Sequence, residues 1–328
     1  MFKNAIIFRL NPDFQMPSAQ ALEQALGAAR FSPCGPTQQE SFGWVEPRGE
    51  KHGALVECVG GEYIFKLMTE TKSVPGSVVK DRLAERCEKI EAETGRKPGS
   101  KEKKDLKEEI VRDLLPHAFP KKGATLLWVS PSGKFIVVDA GSHKKADRLT
   151  SQFIDALVVA GGSATIKVLQ TNTSPSGAMA IWLTSKDAPA GFSVDRECEL
   201  MQPDSEKSVV RYSRHTLDID EVVEHITKRG KVPTKLAMTY EGRASFLLTE
   251  DMGLKKVELL DVALESAKDE AGFDTDVALV TGELSALIPA LIEALDGELV
   301  LGAAAGEQAG GAATEPADHE LREIAPAL

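Results

Sequence analysis

The amino-acid sequence predicts an α+β protein built from antiparallel β-hairpins, and three observations carry this prediction. Paired apolar runs separated by glycine-containing turns occur at 54–68, 125–139 and 236–248, a pattern typical of β-hairpins. Residues 74–122 hold two charged helical patterns on either side of a Gly-Arg-Lys-Pro-Gly turn, which predicts a projecting helical hairpin. Apolar residues with helical spacing between 284 and 295 predict a long amphipathic helix.

Short strands and short helices are expected along the rest of the chain. The first 185 residues predict a strand at 2–10, a helix at 18–29, a helix at 144–158, a strand at 165–169 and an apolar segment at 178–183. A strand at 209–212 and a helix at 219–227 follow. Residues 278–280 predict a buried strand that leads to Thr281 as the N-cap of the last helix, which Pro289 should kink.

These elements suggest four regions. We expect a central α+β region at 1–73 and 123–185, a helical tip arm at 74–122, an α/β base at 186–300, and a disordered acidic Ala/Gly-rich tail at 301–328.

The tip arm is defined by two apolar stripes, a turn and a proline. The stripes are Val79, Leu83, Cys87 and Ile90 in the first helix, and Leu106, Ile110 and Leu114 in the second. Gly95 should end the first helix in a left-handed conformation, Ser100 should cap the second, and Pro116 should end it. The turn should place Arg96 and Lys97 at the end of the hairpin.

Charge is distributed unevenly along the chain. Residues 72–122 hold fourteen Lys and Arg against ten Asp and Glu, whereas the whole chain has a net charge of −11. Residues 206–235 are also locally basic, with seven Lys and Arg against five acids, while 258–298 hold eleven acids and one lysine. Segregated cations on an acidic protein favour binding to a polyanion. A charged hairpin that is merely well solvated is the alternative.

Composition and motifs bound the function further. At 328 residues with 42% apolar content, the chain is long enough for two or three domains with their own cores. The four cysteines and six histidines show no metal-ligand spacing, and no stretch approaches the length of a membrane span. The sequence contains no GxxxxGK[ST], GxGxxG, HExxH or GxSxG motif. We therefore expect a cytoplasmic protein that is not an enzyme and has no catalytic residue, metal site, cofactor or membrane partner.

Several blocks of sequence together resemble the bacterial recombination-associated RdgC family. The blocks are Phe2-Lys3-Asn4 with Arg9-Leu10, Phe31-Ser32-Pro33-Cys34-Gly35, Gly43-Trp44-Val45-Glu46-Pro47, Glu91-Ala92-Glu93-Thr94-Gly95-Arg96-Lys97, Leu114-Leu115-Pro116-His117-Ala118-Phe119, Thr234-Lys235-Leu236-Ala237 and Thr281-Gly282-Glu283-Leu284-Ser285-Ala286-Leu287-Ile288. They span residues 1–300 in the family's order, and only the tail beyond about residue 300 looks particular to this chain. Pro120 and Pro289 depart from the pattern we expect in relatives.

The resemblance implies a DNA-binding protein of the nucleoid without enzymatic activity. Each subunit would be a horseshoe with a projecting tip and a base, and two subunits would close a ring whose basic hole encircles duplex DNA. Such a homodimer binds double-stranded DNA with little sequence preference, binds single-stranded DNA more weakly, and restrains RecA-promoted strand exchange. A regulatory protein that acts mainly by direct contact with a recombination protein, with DNA binding secondary, is the alternative.

On this basis the cations and apolar residues that would carry function can be named. The candidate DNA-binding residues are Arg96, Lys97, Lys121, Lys122, Lys144, Lys145, Arg211, Arg214, His215, Lys228, Arg229, Lys231 and Lys235. The candidate dimer-interface residues are Phe119, Leu115, Leu284, Leu287 and Leu291. Phe119 has two interpretations. It either anchors the arm to the body or completes a contact between the tips of two subunits.

Overall fold

The computed structural model describes residues 2–204, 206–265 and 272–299, and the tail predicted at 301–328 lies outside them. Within these ranges twelve strands form one sheet. The strands are β1 Asn4–Leu10, β2 Glu40–Val45, β3 Val56–Val59, β4 Glu62–Lys72, β5 Pro120–Ser130, β6 Phe135–Val138, β7 Ile166–Val168, β8 Phe192–Met201, β9 Val209–Ser213, β10 Val232–Tyr240, β11 Ala244–Thr249 and β12 Gly253–Leu259. The helices are α1 Ala19–Ala28, α2 Gly76–Thr94, α3 Ser100–Leu114, α4 His143–Val159, α5 Pro175–Ser185, α6 Asp220–Thr227, α7 Asp261–Leu264 and α8 Phe273–Ala294, with a 3-10 turn at Leu115–His117.

The sheet is antiparallel and passes through both the central and the base regions. Its order is β2-β4-β5-β6-β1-β12-β11-β10-β8-β9, with β3 also paired to β4 and β7 to β1. The three predicted hairpins are β3–β4, β5–β6 and β10–β11. The α+β class and the antiparallel hairpins are therefore confirmed, and the two regions join where β1 pairs with β12.

Strand β1 separates two hydrophobic cores because its side chains alternate between the faces of the sheet. Ala5 and Ile7 enter the first core, which α5 and α8 cover. Ile6 and Phe8 enter the second core, which α1 and α4 cover. The helices α4 and α8 thus lie on opposite faces of the same sheet.

The second core fixes α4 in place. Phe153 of α4 meets Phe65 of β4 edge to face with ring centroids 5.1 Å apart, and Phe65 meets Trp44 of β2 at 6.1 Å. All three rings are buried. Aromatic contacts of this geometry add to the stabilisation from burial alone, so α4 is held against β4 at Phe153.

The last helix differs from the prediction at its start. Residues 278–280 are helical, and α8 begins at Phe273, so the predicted strand is wrong. Thr281 lies inside the helix, where its hydroxyl donates to the Val277 carbonyl at 2.8 Å and does not cap it. By length and composition α8 could cross a membrane, but its inward face packs in the first core, as in a core helix of a globular protein.

The first core also draws in α5, which the sequence assigned to the central region. Ala178, Met179 and Trp182 of α5 pack with residues of β8 and β10 in this core. The predicted boundary at 185 therefore does not coincide with a break in packing. Strands β8 and β12, which form part of the same sheet, were not predicted.

The tip arm consists of α2 and α3 as expected. Gly95 ends α2 with φ +70°, a left-handed conformation that glycine adopts without steric cost. Ser100 is the first residue of α3, and Gly99 takes the capping position that was assigned to Ser100. Residues 120–122 belong to β5, and Pro120 starts that strand opposite Lys72. The helical arm is therefore shorter at its end than the predicted 74–122.

Candidate nucleic-acid interface

Five basic side chains surround one groove between the start of β5 and the start of α4. The groove has a volume of about 370 Å³ and is lined by Lys121, Lys122, Lys144, Lys145 and Arg148 together with Ser142 and the threonines Thr69, Thr71 and Thr125. Four of the five cations were predicted from the sequence. We call this surface the cationic groove.

Local structure explains why these residues meet. Lys121 pairs with Thr71 and Lys122 with Glu70 in the ladder between β4 and β5, in the part of β5 that β6 does not cover. Strand β6 then leads directly into α4, whose first turn carries Lys144 and Lys145. Two dilysine segments about twenty residues apart in sequence are thereby brought to one surface.

A contact between His143 and Asp251 holds the start of α4. His143 Nε2 lies 3.1 Å from Asp251 Oδ2 in the turn between β11 and β12. Burial raises the pKa of the Asp251 carboxyl, but the Thr249 hydroxyl, His143 and Lys255 outweigh it and keep that pKa below its ordinary value. The carboxylate therefore stays charged and ties the first turn of α4 to the base half of the sheet.

Three cations of the groove lack an acidic partner in the described ranges of the chain. Lys121, Lys144 and Lys145 are exposed, and none of them takes part in an ion pair there. Lysines in the first turn of a helix oppose the helix dipole, which costs stability. Ser142 makes no side-chain cap hydrogen bond, although its carbonyl accepts from the Lys145 and Ala146 amides at 3.1 and 3.2 Å. Unpaired ammonium groups at one place match the oxygen atoms of a phosphate.

The other two cations are held by neighbouring side chains. Lys122 Nζ lies 3.5 Å from Glu70 Oε2 and 5.6 Å from the centre of the Phe31 ring. The Cys34 amide, which donates to Glu70 at 2.9 Å, together with Lys122 lowers the pKa of this carboxyl in spite of its burial.

Arg148 was missed in the sequence, although it lies four residues after Lys144 and hence on the same face of α4. Its guanidinium pairs with Glu40 and lies 5.9 Å from the centre of the Phe42 ring. These contacts place its charge at the edge of the groove.

The two cations at the tip of the arm do not belong to the groove. Arg96 pairs with Glu102 at 2.9 Å, and Lys97 Nζ lies 3.7 Å from Glu91 Oε1. Both side chains are exposed, so these ion pairs are weak and would exchange readily for phosphate contacts.

Some of the basic residues of the base region bind acidic or carbonyl groups of their own chain, and others are exposed. Arg211 and Lys235 both bind Glu199, at 2.6 and 2.9 Å, which joins β8 to β9 and β10. Lys231 is only 7% exposed, and its Nζ donates to the Ser208 carbonyl at 2.9 Å, so its assignment as a DNA-binding residue is wrong. Lys228, the C-cap residue of α6, pairs with Glu224 one turn earlier in the same helix.

The remaining base cations are free to meet a ligand. Arg214, His215 and Arg229 are exposed and form no ion pair in the part of the chain that the structure describes. Lys255, which was not predicted, lies opposite Leu247 on the face of the sheet turned away from α8. Lys255 also contributes to the lowered pKa of the Asp251 carboxyl.

The Glu199 cluster predicts a measurable acid sensitivity. Burial raises the pKa of Glu199, but hydrogen bonds from Lys235, Arg211 and Thr234 outweigh it and lower the pKa from 4.5 to about 2. A depressed pKa stabilises the fold above the unfolded-state pKa, and this contribution is lost as the pH falls from 4.5 towards 2. We expect wild type to exceed Glu199→Gln in unfolding free energy at pH 6 by up to about 3 kcal/mol, and this gap to close across that window. Chemical denaturation of both proteins at several pH values measures it, and a pH-independent gap would contradict the assignment.

The predicted dimer-interface residues behave in two ways. Phe119 is 92% exposed, so it does not anchor the arm to its own subunit and is available to a partner. Leu284, Leu287 and Leu291 are fully buried in the first core, and Leu115 is 2% exposed. These four leucines are core residues of their own subunit, and their assignment to the interface is wrong.

The described ranges also contain no group of three or more His, Cys, Asp and Glu side chains that could hold a metal ion.

Comparison with known proteins gives consistent matches. Residues 1–298 match the family described as "Putative exonuclease, RdgC". The chain is 40% identical over 307 residues to a protein of Dechloromonas aromatica, which covers 91% of this chain and 98% of that protein. It is also 40% identical over 303 residues to a protein of Janthinobacterium sp. and 36% identical over 303 residues to one of Proteus mirabilis, each matched over 98% of its length. All three are named "Recombination-associated protein RdgC".

Proposed function

This chain belongs to the RdgC family of recombination-associated proteins, and on that premise we propose that it binds double-stranded DNA without sequence preference, through the cationic groove. The convergence of five basic side chains on one surface of a protein with a net charge of −11 is the observation that carries the proposal. Ammonium groups contact phosphate oxygens, which are the same in every DNA sequence.

The proposal extends to assembly. Two subunits would close a ring around the duplex, with Phe119 at the tip-to-tip contact and the cationic grooves turned towards the DNA. A closed ring resolves the conflict between an acidic protein and an acidic ligand, because it directs the cations inward and leaves the acids outside. Single-stranded DNA would bind more weakly.

The biological role that follows is restraint of RecA-dependent recombination at the nucleoid in the cytoplasm. A ring on duplex DNA would occupy the substrate that strand exchange requires. We also propose that the protein binds DNA without cutting it, although the family description includes the word exonuclease. Incubation of labelled DNA with Mg²⁺ or Mn²⁺ and inspection for shortened products tests this point.

Binding to a linear duplex across a salt series tests the main proposal. The logarithm of affinity should fall by about 0.9 per phosphate contact for each decade of salt. When bulky groups block both DNA ends, bound protein should survive a high-salt wash, whereas free ends should release it. A shallow salt slope, or no binding at moderate salt, would instead favour a protein that acts by direct contact with a recombination protein.

A further inference from the structure

Phe42 is an exposed aromatic side chain beside the cationic groove. Because side chains alternate along β2, Phe42 shares a face of the sheet with Trp44, which is buried in the second core. Phenylalanine on such a face is usually buried, yet Phe42 is 41% exposed. The guanidinium carbon of Arg148, which lines the groove, lies 5.9 Å from the centre of this ring. An accessible aromatic surface therefore adjoins the cations.

Strand pairing places open space beside this ring. Phe42 lies directly opposite Thr69 of β4, and Thr69 lies opposite Gly123 of β5, so the three residues form one row across the sheet. Thr69 and Gly123 line the cationic groove. A Cβ added to Gly123 would meet no atom within 4 Å beyond its chain neighbours. The small residues of this row thus leave room for a flat group next to Phe42.

A nucleotide carries the groups that this surface can hold. Lys121, Lys144 and Lys145 have no acidic partner in the described residues and suit phosphate oxygens. The aromatic ring suits the face of a base, and the hydroxyls of Thr69 and Thr71 can donate to or accept from its edge. The groove volume of about 370 Å³ lies within the range of small-ligand sites. An acidic peptide or a bare phosphate would leave the ring unused.

The ring distinguishes the groove from the lysines of the helical arm. Residues 74–117 contain no Phe, Tyr or Trp, so the helices of the arm can contact phosphates but cannot stack a base. In an intact duplex each base is stacked between its neighbours, and its faces are not accessible to protein. Only an unpaired nucleotide can turn the face of its base towards a side chain at low cost.

We propose that Phe42 stacks on an unpaired base of DNA held in the cationic groove, so that a duplex interrupted by unpaired nucleotides is the preferred ligand. This inference rests on the proposed function, because the groove supplies the phosphate contacts. One base stacked on an aromatic side chain strengthens binding by about fivefold or more. We expect about fivefold, because Arg148 already covers part of the ring. A wholly single strand still binds more weakly, since it lacks the phosphates of the second strand.

Two DNA duplexes that differ only in the bases of a short internal loop test this proposal. One carries unpaired thymines in the loop, and the other carries abasic sugars, so the phosphates are equal in number. Wild type should bind the thymine loop about fivefold more tightly than the abasic loop. Phe42→Leu should reduce this ratio to about one, and Phe42→Trp should keep or raise it. Each ratio compares two DNAs on one protein, so a change in phosphate contacts or in the folded fraction cancels.

The outcomes separate this inference from the proposed function. If wild type bound neither DNA at moderate salt, the proposed function would fail and the inference with it. Equal affinity of wild type for the two loops would overturn the inference and leave the proposed function standing. A fivefold preference that persisted in Phe42→Leu would assign the stacking to another side chain and overturn the role of Phe42.

A crosslink locates the base without reference to affinity. A 5-iodouracil in place of one loop thymine loses iodine on irradiation and couples to an adjacent aromatic side chain. The crosslinked peptide of wild type should contain Phe42, and this product should be absent from Phe42→Leu. Crosslinks of wild type confined to peptides without residue 42 would overturn the contact.

Discussion

Replacing Lys144 and Lys145 together with glutamate is expected to lower the affinity for duplex DNA about 50- to 100-fold at roughly 0.1 M salt. Each lost phosphate contact removes about 0.9 logarithmic units of affinity per decade of salt below 1 M, which gives about sixtyfold for two contacts, and the new negative charges add repulsion. The slope of log affinity against log salt should become shallower by about two. Fluorescence anisotropy with a labelled duplex over a salt series measures both quantities.

The matched control makes the same charge change elsewhere. Lys51 and Lys167 are exposed, lie outside the cationic groove and form no ion pair among the residues that the structure describes. Lys51→Glu with Lys167→Glu changes the net charge equally, so it reports the general electrostatic penalty. The melting temperature of the control should match wild type, and that of the groove variant should equal or exceed it, because His143 and Asp251 still hold the start of α4 and glutamates in its first turn favour the helix dipole. An equal loss of affinity in the two double variants would mean that net charge, and not this groove, governs binding.

The hairpins were predictable because their signals are local. Alternation with a period of two and a glycine-containing turn fix a β-hairpin within about fifteen residues, and Gly95 marked its helix end for the same reason. Strand β8 was missed because its register against β10 shifts twice, which breaks the alternation of apolar and polar residues. Residues 278–280 were misassigned because a short apolar run reads equally well as a buried strand or a buried helix.

The groove itself was predictable only in part. Each dilysine segment was found by its charge, but their meeting depends on the extension of β4 and β5 and on the seating of Phe153 against Phe65. Neither is encoded in any local pattern. Pairing partners are equally invisible in the sequence. Arg211 and Lys235 lie 12 and 36 residues from Glu199, and no local spacing identifies them as its partners.

The assignment of leucines to the dimer interface was wrong for a related reason. The apolar stripe of α8 shows that one face is buried, but it cannot show whether that face packs in its own subunit or against a second copy. The structure answers this for Leu284, Leu287 and Leu291, which lie in the first core. Exposure, which the sequence does not report, is the property that distinguishes Phe119 from them.

Phe119→Ala is expected to weaken self-association about thirtyfold while leaving the melting temperature of the subunit unchanged. A buried aromatic at the centre of an interface commonly contributes 2 kcal/mol or more, which is about a thirtyfold change in dissociation constant. In a two-fold symmetric contact the substitution removes the aromatic side chain from both subunits of the dimer. Because the side chain is 92% exposed in the subunit, its removal leaves no cavity there. Sedimentation velocity over a concentration series measures the association.

Leu115→Ala, four residues earlier in the same segment, is the contrasting variant. Leu115 is 2% exposed, and truncation of such a buried leucine typically costs about 2–5 kcal/mol of folding free energy. We therefore expect Leu115→Ala to lower the melting temperature, and Phe119→Ala to lower the association constant alone. The two proteins separate a residue that stabilises the arm from one that joins two arms. If Phe119→Ala instead destabilised the subunit and left assembly intact, the aromatic ring would pack within its own chain in solution, and closure of a ring at the tip would need another contact.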